Sequence, residues 1–191
     1  MQKTCDQSYN SLLNVLHNIC IYSNLFYIAA GITAMVAFKG LYRGLGIGIL
    51  MIAIVSIIHH SNEKAGLGAP AWTVLDVVLA NMGVVTALCA LIYLTYHNKV
   101  NRRLALCTVI LGVVSLVLFI FSLIESARAK SHNKPNDPIK SWGGNIFTAE
   151  NPDSQKDYTA ESQQAMYLTY HTMWHVLSGL TVLLWVIAVK P

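Results

Sequence analysis

Charge is what this sequence has least of: 13 lysines and arginines and nine aspartates and glutamates among 191 residues, 12% against 54% hydrophobic. A soluble globular domain carries about 25% charged residues, so the chain is too apolar for that class and too long for a simple anchor. Proline is scarce as well, and Pro135, Pro138 and Pro152 of the five fall in one polar stretch. Cys5, Cys20, Cys89 and Cys107 show no paired spacing, which excludes a c-type haem attachment run and leaves the redox compartment unmarked. No asparagine opens a glycosylation sequon and no internal repeat stands out. A nucleotide-binding loop is excluded too, because Gly40, Gly44, Gly46 and Gly48 follow no strand and lie in an apolar run. The four-residue spacing of Gly40, Gly44 and Gly48 predicts instead a flat ridge for close helix packing.

What the sequence has is long apolar runs. A helix needs roughly 20 apolar residues to cross a bilayer, and five segments meet that need: about 11–38, 43–61, 70–96, 104–126 and 165–189. Lipid-exposed strands are excluded because their edge amides go unsatisfied. The expectation is an all-α polytopic membrane protein, one bundle of five transmembrane helices, with residues 1–191 forming a single domain. Lys3 is the one basic residue before the first apolar run, which is too long for a signal-peptide core and has no small-residue cleavage site after it, so it reads as a retained helix. Short polar connections around Lys39 to Arg43, Asn62 to Ala69 and His97 to Arg103 predict antiparallel neighbours. The polar stretch 131–162 reads as a long loop, either solvated or packed back over the bundle as a lid.

Ionisable residues inside a hydrocarbon layer are rare and mark function. His171 and His175 stand four apart at the mouth of the last apolar segment, so they share a helix face and can converge on one point. Ser56 and His60 share a face near the end of the second segment, and Asp76 lies near the start of the third. Alternating helix direction puts all five residues on the same side of the membrane. His59 adjoins His60 but misses the serine's face.

Three imidazoles with an open fourth position describe a catalytic zinc site between helices 2, 3 and 5, held by His60, His171 and His175. Iron or manganese accepts similar ligands, so Zn2+ is a preference. Asp76 is placed to take a proton from water or to orient a ligand, and Ser56 to donate to a developing oxyanion. Each residue also has an ordinary reading. A histidine near a helix end serves as an interfacial polar group, and a serine bonds its own helix backbone. The carboxylate of Asp76 is the hardest to explain away, because inside a membrane it needs a partner or a proton.

Ser-x-x-x-His at the end of one helix, an aspartate early in the next and His-x-x-x-His in the last resemble the signature of the CREST superfamily of membrane hydrolases. That group takes in alkaline ceramidases, adiponectin-type progestin receptors and the branch of myomaker and GPI-processing phospholipases. The run Tyr170-His171-Thr172-Met173-Trp174-His175 is similar to the last-helix motif of the myomaker and ceramidase branches, and Ser23-Asn24-Leu25 resembles a ceramidase feature. The resemblance implies zinc on His60, His171 and His175, with Ser56 and Asp76 around a catalytic water, and a membrane lipid as substrate. Members usually have seven helices, and this chain has five such segments. Its N-terminal segment has Asp6 as its only acidic residue, so the calcium-binding cluster of some ceramidases has no counterpart.

The expected activity is hydrolysis of an ester or amide bond of a membrane lipid, with no nucleic-acid partner. A non-enzymatic receptor or membrane-remodelling protein tied together by the metal is the alternative within the same family. A b-type haem protein, with His17 pairing with another helix's histidine, is a reading from a different class. Glu125 reads as an interfacial carboxylate or as a partner of the site. Lys39, Arg43, Lys99, Arg102, Arg103 and Lys190 cluster on the side opposite the site, which predicts a cytoplasmic C-terminus and an extracytoplasmic or lumenal N-terminus and metal site.

Overall fold

A computed structural model describes residues 2–64, 70–132 and 158–189. These form five helices and no strand: α1 (Gln2–Ala37), α2 (Leu41–Lys64), α3 (Pro70–Tyr96), α4 (Arg102–His132) and α5 (Tyr158–Ala188). Each contains a stretch long and apolar enough to cross a membrane, which fits an integral multi-pass membrane protein. Most of the expected loop at 131–162 lies outside the described residues, but both of its edges are helical, in α4 and α5.

The turns follow from local chemistry. Gly40 takes a positive φ of 59° between α1 and α2, a conformation that costs glycine nothing, and its carbonyl accepts from the amides of Arg43 and Gly44 to start α2. Asn98, with φ 55°, ends α3, the Lys99 amide reaching back to the Leu94 carbonyl. Asn101 then caps α4, its Oδ1 accepting from the amides of Arg103 and Leu104. The same connection is tied to the end of α5, where the Asn101 amide donates to the Ala188 carbonyl at 2.8 Å.

Helix order across the bundle is α4, α5, α1, α2, α3, with α3 also touching α5. Two expectations are corrected here. The turn joining α3 to α4 does not make them packed neighbours, because α4 lies along α5 instead. Nor do Gly40, Gly44 and Gly48 carry the close packing, since a Cβ at any of them would meet nothing within 4 Å. The tight seam of α1 and α2 runs through Gly31 and Gly46: a Cβ on Gly46 would lie 2.8 Å from the Gly31 carbonyl oxygen and 2.9 Å from the Met35 amide. Four-residue spacing identifies a face of a helix and not what lies against it, and Gly44 and Gly48 are exposed.

The apolar core sits at the end of the bundle that carries the short basic turns, where Ala34, Phe38, Leu94, Val100, Trp185 and Val186 pack together. Toward the other end the buried residues turn polar, with Ser23, Asn24, Ser56, His60, Asp76 and His171 among them. α1 and α5 extend beyond their apolar spans at this end, and Leu13 and Leu16 of one pack on Tyr167 and Leu168 of the other. This moves the histidine pair. α5 begins at Tyr158 and not near 165, so His171 lies 13 residues inside the helix, about 20 Å from its start. The segment Tyr158 to Gln164 is polar enough to escape a hydropathy reading while remaining helical.

Candidate metal centre

His60 comes from the last turns of α2, and His171 and His175 from one face of α5; all three are buried. One nitrogen of each lies within 4.8 Å of the others. The Nε2 atoms of His60 and His175 are 2.8 Å apart, within hydrogen-bond reach. The rings meet edge-on, with centroids 4.6 Å apart for His60 and His175, 4.8 Å for His171 and His175 and 5.4 Å for His60 and His171. α2 and α5 share no extended backbone seam, so the imidazoles themselves span the gap between the two helices.

This donor set could hold a metal ion, and its spacing can be compared with that of zinc. Tetrahedral Zn–N bonds of about 2.0–2.1 Å separate two ligand nitrogens by roughly 3.3 Å, and the 2.8 Å between His60 and His175 needs to open by only about half an ångström to match. Among the described residues, the His60, His171 and His175 group has three members.

The third helix supplies the carboxylate. Asp76 is buried near the start of α3, and a carboxylate oxygen lies within 4.8 Å of ligand nitrogens of both His59 and His60. His59 is thus part of the cluster, its ring centroid 4.7 Å from that of His60. Helical spacing places it off the face of Ser56 and His60, but a residue next to a ligand at the tip of a helix still reaches the neighbouring helix.

Ser56 departs from its ordinary reading. The hydroxyls of Ser23, Ser122, Ser178, Thr33, Thr108 and Thr181 all bond to a carbonyl of their own helix. Ser56 Oγ is buried and bonds to no protein atom. Since a buried hydroxyl without a partner costs about 1–3 kcal/mol, its place one turn below His60 requires another explanation.

Around the imidazoles the walls are aromatic and well held. Trp174 is buried with its ring centroid 4.6 Å from His175 and 5.1 Å from His171, and the tilted ring of Phe119 on α4 lies 4.7 Å from it. Tyr167 covers His171 from one turn away, at 5.3 Å. On the α1 side, Thr172 meets Cys20 at 3.1 Å and Ser178 accepts from the Tyr27 hydroxyl at 2.6 Å.

Two other candidates are placed elsewhere. Glu125 pairs with Arg128 on its own helix at 2.7 Å. His17 directs Nδ1 to the Leu13 carbonyl at 3.0 Å, and the imidazole clusters of the described residues do not include it. One residue of the region, Asn24, was marked in the sequence only through the resemblance of Ser23-Asn24-Leu25, with no role assigned; it is completely buried, its Nδ2 donating to the Cys20 carbonyl. Compared with protein-family models, curated proteins and solved structures, the chain matches none.

Proposed function

We propose that this protein is a zinc-dependent hydrolase of an ester or amide bond in a membrane lipid, and a short five-helix member of the CREST superfamily. One observation carries the reading: three buried imidazoles from two helices converge, a buried carboxylate lies within 4.8 Å of one of them, His60, and a buried, unbonded hydroxyl stands one helical turn from the same histidine. A closed structural site needs a fourth protein ligand and has no use for the hydroxyl.

His60, His171 and His175 would hold the ion. Bound zinc lowers the pKa of water into the neutral range and polarises a carbonyl oxygen. Asp76 accepts the proton that water loses when it attacks the acyl carbon, and can return it to the departing alcohol or amine. Ser56 donates its hydroxyl hydrogen to the oxygen on which charge develops, worth about 3–4 kcal/mol for one such donor where water is excluded. Trp174 and Phe119 keep the imidazoles in an apolar wall and fix their orientation. A lipid can slide its carbonyl region to this depth without leaving the bilayer, and water enters from the nearer aqueous side. The basic turns at the opposite end make that end cytoplasmic by the positive-inside rule, so the site and the N-terminus face outward or into a lumen.

The test is an incubation of purified protein with mixed phospholipid and sphingolipid vesicles, read by mass spectrometry, alongside elemental analysis. Wild type is expected to carry one zinc and to release a fatty acid or lysolipid. Asp76→Asn, which keeps the shape but not the base, is expected to keep the zinc and lose the product. Absence of a stoichiometric transition metal sinks the reading. Metal in both proteins with product from neither moves the receptor or remodelling alternative ahead.

A further inference from the structure

Three helices each contribute a buried polar atom that the chain itself leaves unsatisfied: Asn24 Oδ1 on α1, Ser56 Oγ on α2 and His175 Nδ1 on α5. Their residues are 0%, 2% and 3% exposed. A buried polar atom without a partner is uncommon and asks for one. Such atoms matter most where they lie together, and the packing register brings these three to one level.

α1 and α5 run parallel. Cys20 meets Thr172 and Tyr27 meets Ser178, so residues of α5 lie beside those of α1 numbered about 152 lower. Asn24, between these two contacts, therefore stands level with His175 and Val176. α1 and α2 run antiparallel, with Gly31 against Leu50 and Ala34 against Gly46. Residue numbers at facing positions sum to about 80, and Asn24 faces Ser56. Around α1, Asn24 lies on one stripe with Cys20 and Tyr27, which meet α5, and with Gly31 and Met35, which meet α2. Its side chain thus enters the wedge between all three helices, one turn below the point where His60 meets His175.

The three atoms are chemically complementary. Asn24 spends its amide NH2 on the Cys20 carbonyl, with a second, longer contact to the Ile21 carbonyl, and so presents an acceptor at Oδ1. His175 Nδ1 is a donor when Nε2 carries the lone pair, and a serine hydroxyl has one donor and two acceptor positions. A buried water makes about three hydrogen bonds to groups of this kind. We propose that Asn24, Ser56 and His175 enclose one ordered water, and that through it Asn24 is a positioning residue for His175. The water accepts from His175 Nδ1–H and donates to Asn24 Oδ1 and Ser56 Oγ. The imidazole is thereby held in the tautomer whose Nε2 lone pair faces His60 and His171. Ser56, bonded as an acceptor, keeps its own hydrogen for a substrate oxygen. The inference rests on the zinc hydrolase reading for its purpose, but the hydrogen-bond arrangement stands or falls separately.

Two measurements test it on the full-length protein in detergent. The first is the 15N spectrum of histidine-labelled, metal-free protein, in which the His175 signals are identified by their loss in His175→Gln. Wild type is expected to show Nδ1 protonated; Asn24→Leu is expected to show a mixture of tautomers, and Asn24→Asp, which keeps an acceptor, to return toward wild type. The second is Zn2+ affinity by chelator competition, where removing the outer partner of a ligand histidine costs about 10–100-fold and Asn24→Asp restores most of it. If Asn24→Leu does not purify folded, Asn24→Ala takes its place with the same expectations. Unchanged tautomer signals and unchanged Zn2+ affinity in the folded apolar variant overturn the proposal. A wild-type chain that binds no Zn2+ removes the hydrolase reading instead, and the tautomer spectrum then decides the water bridge alone.

Discussion

Replacing Gly46 by alanine probes the seam of α1 and α2, and the outcome can be worked from the distances. The new Cβ would stand 2.8 Å from the Gly31 carbonyl oxygen, 2.9 Å from the Met35 amide and 3.0 Å from the Ala34 Cβ. Two of these are backbone atoms, which cannot rotate away, so the helices must separate by a few tenths of an ångström along their closest contact. Overpacking of this kind costs about 1–3 kcal/mol. Alanine recovers up to about 1 kcal/mol of intrinsic helix preference over glycine, leaving a net loss of roughly 0–2 kcal/mol. The internal comparison is sharper than the absolute value. Gly44→Ala and Gly48→Ala enjoy the same preference and meet nothing within 4 Å, so both are expected to be neutral or stabilising. The difference between Gly46→Ala and Gly44→Ala isolates the steric term at about 1–3 kcal/mol. Thermal unfolding in detergent, followed by tryptophan fluorescence, measures it. A Gly46→Ala protein as stable as Gly44→Ala would refute the close contact and with it the α1 and α2 register.

The same preparations check the remaining expectations. His60→Ala, His171→Ala and His175→Ala are each expected to lose stoichiometric metal by elemental analysis while His59→Ala retains it, which separates the three-imidazole group from the one formed by His59, His60 and Asp76. Tyr27→Phe removes the 2.6 Å bond to Ser178 and should lower stability by about 0.5–1.5 kcal/mol without changing metal content. Glu125→Gln breaks a pair whose arginine is 61% exposed, so a stability change of at most about 1 kcal/mol and unaltered lipid products are expected.

Helix count was legible because a bilayer imposes a length on apolar runs, and the convergence of His171 with His175 was legible because four residues make one turn. Helix order was not. Nothing in the composition of α3 or α4 says that two segments joined by a short turn will part, α4 going to α5 and α3 to α2. Helix ends were legible only where hydropathy and helicity end together, as at Asn98 and Asn101, and not at Tyr158, where a polar segment continues the helix. The glycine ridge was misread for a related reason: spacing shows which residues share a face, while the partner of that face is a property of the whole bundle. Asn24 drew notice only within Ser23-Asn24-Leu25 and without a role, because its significance comes from standing level with Ser56 and His175, on helices far away in sequence.

The place of α5 between α4 and α1 also has a consequence for biosynthesis. It is the last of the five helices to be made, yet it fills the middle of the bundle. Until it arrives, α1 carries Asn24 and the hydroxyl of Tyr27 toward a space where lipid cannot satisfy them, at several kcal/mol for each unmet group. A chain terminated after α4 therefore lacks more than two imidazoles. It presents a polar stripe to the bilayer and is expected to be removed by membrane quality control. Any ion that His60, His171 and His175 hold together can be captured only once α5 has packed into place.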